Sequence, residues 1–229
     1  MASLRTLQET VQWAMSFTKL IPIIGASGYE NEPALTICNN VIQQMLAYPY
    51  NWKFNSQDAA PFNTDTTANT QDYVNTITDC AWVESCVRLD PNSTQQPPPI
   101  ENIEVVRNIQ PTSIVSNPSK IAYMNENDGG GIWRIWPVAG MGKEWTLMPV
   151  YQRKPLVKMG LQETWAPFPD ELAYVYNQGF LAFAYKHADD PRWEAEYKNF
   201  LYLIQTALNI KDAEGNAEGF TPDFGLFVG

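Results

Sequence analysis

The sequence predicts an α+β chain: a helical body built from an N-terminal helix pair and a C-terminal helical hairpin, with an antiparallel β-rich lobe inserted between them. Three observations predict it. Apolar residues recur at helical spacing near both ends, aromatic strand-like runs lie between them, and clusters of Asn, Pro and Gly separate the two patterns.

Leu4, Leu7, Val11, Met15 and Thr18 fall on one face of a first helix running from Leu4 to Lys19, with Ser3 as its cap. Gly25 and Gly28 close that region. A second helix is expected from Asn31, whose side chain can cap, to Ala47; Pro33 sits in its first turn, Leu35, Cys38, Ile42 and Met45 form its stripe, and Pro49 stops it. Residues 51–78 are crowded with Asn, Thr, Asp and Gln and read as an extended surface excursion. Strands are expected at Trp82–Val87, Ile100–Val106 and Lys120–Met124, with Gln95–Pro99 as a stiff loop.

The clearest β signal is Gly129-Gly130-Gly131 with Ile132–Trp136, a Gly140-Met141-Gly142 turn, and Trp145–Tyr151, together a long aromatic hairpin. Its Trp residues suit either a core or a partner-facing surface. Pro169 and Asp170 then open a third helix carrying Leu172, Val175, Tyr176, Gly179 and Phe183. Asp190 caps a fourth, with Pro191 in its first turn and Trp193, Tyr197, Phe200, Ile204 and Leu208 as its stripe. The short connection makes the two an antiparallel hairpin. The expected divisions are therefore 1–50 for the N-terminal helices, 51–166 for the lobe, 167–210 for the hairpin and 211–229 for a tail. That tail is rich in Gly yet carries Phe220, Phe224, Leu226 and Phe227. Local structure cannot bury them, so the tail is expected to order on a partner, the alternative being a free end or one folded back on its own domain.

Fifteen basic residues against twenty-five acidic ones give a formal net charge of -10, which disfavours a tight grip on nucleic acid. Acidity serving only solubility is the plainer reading. Three cysteines, Cys38, Cys80 and Cys86, form no CxxC pair and fit buried thiols in a reducing compartment. Arg5, Glu9 and Lys19 interrupt the opening segment, so neither a signal peptide nor a membrane span is expected there.

Catalytic chemistry finds little to work with, because His187 is the single histidine and no nucleophile elbow, phosphate loop or dinucleotide fingerprint occurs. His187-Ala188-Asp189-Asp190 is the best metal-like cluster, but it lies between two helices, where Asp ordinarily caps. The pairs Glu30 with Glu32 and Glu101 with Glu104 would serve glycoside chemistry only if they met across a cleft. The expectation is no enzyme, no metal and no cofactor. Eight tryptophans also raise a carbohydrate-binding module, against which the four amphipathic helices argue.

RIWPVAGMGKEWTLMPVYQRKP, Arg134 to Pro155, and TWAPFPDELAYVYNQGFLAFAY, Thr164 to Tyr185, resemble the head-to-tail connector, or adaptor (head-completion, neck), proteins of tailed bacteriophages. The first is similar to that family's strand pair ending in Tyr-Gln and a basic-Pro step, the second to its Pro-x-Pro-Asp-Glu helix start. The Ala139-Gly140 turn departs from the Pro-containing turn expected there. The resemblance implies a structural virion protein made in the host cytoplasm: a homo-oligomeric ring, usually of twelve copies, beneath the portal. Such a ring extends the DNA channel, attaches a tail, nozzle or stopper protein, and lets DNA only pass through its lumen. No catalytic residues and no membrane come with it. A stopper or tail terminator is the nearer alternative, and the carbohydrate-binding module the distant one.

Overall fold

The computed structural model describes residues 3–18, 31–64, 70–75, 77, 79–89, 100–102, 116–127, 130–138 and 144–213. Among them the fold is mixed, with four α-helices and an eight-stranded, mainly antiparallel sheet. The chain forms two compact units: Met1–Tyr50 with Pro155–Gly229, and Asn51–Lys154.

The helical unit holds α1 (Leu7–Thr18), α2 (Ala34–Met45), α3 (Ala173–His187) and α4 (Trp193–Ala213). α3 is its centre, since α1, α2 and α4 all pack against it and it buries Val175, Tyr176, Phe180, Leu181, Ala184 and Tyr185 on several sides. Gly179 permits the closest approach. A Cβ there would lie 2.6 Å from the Phe200 ring of α4 and 3.0 Å from Val41 Cγ1 of α2, so only a bare Cα lets both helices close on α3.

Helix starts differ from expectation in their chemistry. α1 begins at Leu7, not Leu4, because Thr6 and Glu9 form a capping box: the Glu9 N–H donates to Thr6 Oγ1 and the Thr6 N–H to Glu9 Oε2, each at 3.3 Å. Ser3 is not the cap, and Leu4 lies off the buried stripe, 84% exposed. Asn31 likewise gives way to Glu32, whose Oε2 accepts the Thr36 N–H at 3.2 Å. At the end of α3, Asp189 takes φ 53, with Asp189 N–H bonded to Lys186 O at 3.3 Å and Asp190 N–H to Tyr185 O at 3.0 Å, a Schellman closure. α4 extends through Ala213, so the expected tail boundary at 211 shifts to 214.

The expected lobe boundary at 166 is also corrected. Residues 155–166 belong with the helices, because the Leu7 N–H donates to Glu163 O, the Gln8 N–H to Leu161 O and the Trp165 N–H to Arg5 O, at 2.9, 2.9 and 3.0 Å. Trp165 and Phe168 are fully buried there.

The β unit contains β1 (Ser56–Asp58), β2 (Phe62–Asn63), β3 (Asp72–Asn75), β4 (Cys80–Leu89), β5 (Ile100–Asn102), β6 (Lys120–Asn127), β7 (Gly130–Trp136) and β8 (Thr146–Arg153). Their order is β1-β8-β4-β5-β6-β7-β3, with β2 also on β8, and β5 with β6 is the one parallel pair in that order. The expected hairpin of β7 with β8 does not form. β7 pairs with β6 instead, Asn127 opposite Gly130, while β8 pairs with β4 far back in the sequence. The described residues of 51–78 are no surface excursion either, for they supply three edge strands and bury Trp52, Asn55, Ala59, Thr64 and Gln71.

The sheet curls. Phe62 of β2 and Tyr73 of β3 stack with centroids 5.4 Å apart, although their strands sit at opposite ends of the order. Val83, Cys86, Ile135, Trp133, Trp145 and Leu147 fill the interior so enclosed.

Candidate functional site

His187 and Asp189 stand exposed at the α3–α4 turn, and Asp190 turns to Arg192 rather than to a histidine. Asp190 accepts two guanidinium bonds, at 2.9 and 2.7 Å, and the Arg192 N–H at 3.0 Å. These bonds hold its carboxyl down at about 2. The cluster is a helix junction. Among the described residues no group of three or more His, Cys, Asp or Glu is placed to hold a metal ion. Of the paired carboxylates, Glu32 caps α2, Glu30 and Glu104 lie outside the described residues, and Glu101 belongs to β5.

Two polar clusters tie the units internally. In the helical unit, Asp170 gathers the entering chain, accepting Ser3 Oγ at 2.5 Å and the N–H groups of Leu4 and Arg5 at 3.3 Å. Those bonds lower its carboxyl below the ordinary range. In the β unit, Gln152 is fully buried; it donates to Trp52 O at 3.0 Å and to Glu84, and accepts Asn55 Nδ2 at 3.0 Å. The bonds from Asp170 and Gln152 to their partners join segments far apart in the chain, so both clusters hold structure.

The cysteines are buried thiols, as burial pushes Cys86 up to about 12 and raises Cys38 as well. Arg88 stacks 4.7 Å over the Trp145 ring and donates to Pro118 O, its burial lowering its pKa. Half of the tryptophans serve the cores: Trp52, Trp133, Trp145 and Trp165 are at most 3% exposed, and Trp13 is the most open of the other four at 38%.

One surface escaped the sequence reading. Pro155-Leu156-Val157-Lys158-Met159-Gly160 forms neither helix nor strand, yet is tied down firmly. Asn39 of α2 grips Lys158 at both backbone groups, Nδ2 donating to its O at 3.0 Å and Oδ1 accepting its N–H at 2.8 Å. Glu163 Oε1 accepts the N–H groups of Met159 and Gly160 at 2.6 and 3.1 Å. The grip turns Lys158 inward and leaves Leu156, Val157 and Met159 at 70%, 62% and 80% exposure. Its sequence signal is an apolar run matching neither a period of 3.6 nor one of 2.

The predicted docking residues Phe220, Phe224, Leu226 and Phe227 lie outside the described residues, as do the Gln95–Pro99 loop and the Gly140-Met141-Gly142 turn. Among the described residues no helix is long and apolar enough to cross a membrane. No family model matches the chain, and no curated protein matches it.

Proposed function

We propose that the chain is a structural virion protein of the adaptor type, forming a ring beneath a portal and presenting residues 214–229 as its docking arm. The resemblance of Arg134–Pro155 and Thr164–Tyr185 carries this reading. What supports it physically is a tightly bonded helical body whose polar clusters are spent on holding the chain, followed after Ala213 by a segment rich in Phe. Each buried Phe contributes about 1.5–3 kcal/mol before ordering costs are subtracted, so several weak anchors add across a ring. Acidic charge facing a lumen would let DNA slide past. A stopper or tail terminator shares the assembly role with a different neighbour. Burial of four tryptophans in cores weighs against sugar stacking.

The experiment is a pull-down on purified portal. Full-length protein should be retained, and protein ending at Ala213 should fold yet be lost. Equal retention of both would remove the docking role of the tail.

A further inference from the structure

We propose that Ser3, Leu4 and Arg5 form a releasable strap whose clasp is the Asp170 carboxylate, so that neutralising this one group frees the strap while the helices stay packed. The strap runs along the segment ahead of α3. The Ser3 N–H donates to Phe168 O and the Trp165 N–H to Arg5 O, both at 3.0 Å. Asp170 adds three bonds, accepting the Ser3 hydroxyl at 2.5 Å and the N–H groups of Leu4 and Arg5 at 3.3 Å. No apolar anchor backs them. Leu4 is the strap's one large apolar side chain and stands 84% exposed, Arg5 is exposed as well, and what Ser3 buries is a hydroxyl. A segment held by polar bonds without buried apolar area belongs to the low-stability end of a fold and can open by itself.

The hinge is built in at Thr6. The Thr6–Glu9 capping box closes α1, and the N–H groups of Leu7 and Gln8 reach Glu163 O and Leu161 O at 2.9 Å, so α1 keeps its cap and its ties when the strap leaves. Protonation is the trigger. The strap's bonds to Asp170, the Ser3 hydroxyl foremost, and the charge of Arg5 hold its carboxyl below the ordinary value of 3.8. The strap is therefore fully latched above that pH and loosens as the pH falls through the lowered value, where a neutral acid accepts the same bonds more weakly. Besides Arg5, the ionisable groups around the clasp are Tyr176 of α3, Glu9 of α1 and Glu171 beside it in the chain. Release bares the Trp165 N–H and Phe168 O and puts Leu4 on a free arm. The device belongs to the single chain and does not rest on portal docking.

Amide hydrogen exchange followed by NMR on the full chain tests it. Asp170→Asn at neutral pH keeps the side-chain shape and removes the charge. Protection of the Leu4 and Trp165 backbone N–H groups should then fall by about tenfold or more, with that of the Phe180 N–H in buried α3 unchanged. Leu4 reports the lost bond to the carboxylate; Trp165, whose partner is Arg5 O, reports departure of the strap itself. In the parent protein the same two protections should fall as the pH drops below 3.8, whereas in Asp170→Asn, which keeps Glu9 and Glu171, they should stay level across that range. Trp165 protection untouched by the substitution, Phe180 protection lost in step with it, or matching pH profiles in the two proteins would each overturn the proposal.

Discussion

Trp165 and Tyr176 lie face to face in the helical unit, their ring centroids 4.4 Å apart and their planes within 9°. The Trp165 indole N–H donates to Thr10 Oγ1 at 2.9 Å, and that hydroxyl donates to Asn177 Oδ1 at 2.9 Å. One side chain from the segment before α3 thus locks α1 and α3 together. Trp165→Ala should destabilise the protein by about 3–5 kcal/mol. Trp165→Phe keeps a stacked ring but removes the donor to Thr10, and should lose about 1 kcal/mol beyond the change in ring size. Urea unfolding followed by helical circular dichroism measures both.

Gly179→Ala sets helix propensity against packing. Alanine favours a helix by about 1 kcal/mol, but its Cβ would meet the Phe200 ring at 2.6 Å, and the displaced ring should cost about 1–3 kcal/mol. A net loss of stability is expected, partly relieved by Phe200→Leu. A Gly179→Ala protein more stable than the parent would refute this close crossing.

Asp189 holds a left-handed conformation that glycine adopts without steric penalty. Asp189→Gly should stabilise the α3–α4 turn by about 0.5 kcal/mol, whereas Asp189→Val should destabilise it by about 1–2 kcal/mol. Paired thermal melts give the sign. His187→Ala, two residues away and exposed, should leave stability unchanged.

The β unit should weaken in alkali. Burial moves Cys86 from 9.0 to about 12; burial and the bond to Asp79, at 3.0 Å, move Tyr151 from 10.0 to about 12. Above about pH 9 the unfolded chain sheds these protons while the folded unit keeps them, so stability is full below that pH and falls as pH rises toward 12. Tyr151→Phe should flatten the fall above pH 10. Urea midpoints followed by tryptophan emission across this range, unchanged in slope by Tyr151→Phe, would count against the assignment.

Much of the helical unit was legible because its signals are local. Leu7 and Val11 in α1, Cys38, Ile42 and Met45 in α2, and Phe200 and Ile204 in α4 repeat within one helix, and burial follows the repeat. The Thr6–Glu9 capping box was equally local, but Ser3 stood where a cap also fits until Asp170, far along the chain, is known to claim it. The sheet was read poorly for the same reason in reverse. β7 and β8 are neighbours in sequence, so a hairpin was the natural inference, while β8 takes its partner β4 from some sixty residues earlier. β1 to β3 are short edge strands, and the exposed Asp58, Asn63 and Asp72 there look like loop. Of the candidate site, the sequence showed the Phe-rich tail but not the ledge, since only Asn39 and Glu163 determine which way Leu156 and Lys158 turn.

The bonds between Asn55 and Arg153, Asn55 Nδ2 to Arg153 O at 2.9 Å and the Arg153 N–H to Asn55 O at 3.2 Å, also shape the order of folding. As the chain leaves the ribosome, α1 and α2 appear first, but α3, the helix they pack on, follows only after the whole β unit. Alone they would face a long wait with apolar faces uncovered. Once β8 emerges and pairs, those two bonds pinch the ends of a loop of about one hundred residues into a short connection. The entropic cost of bringing α2 and α3 together then falls by about 1 kcal/mol. The sheet, though it pairs distant strands and folds the more slowly for it, acts as the clasp that lets the late helices find the early ones.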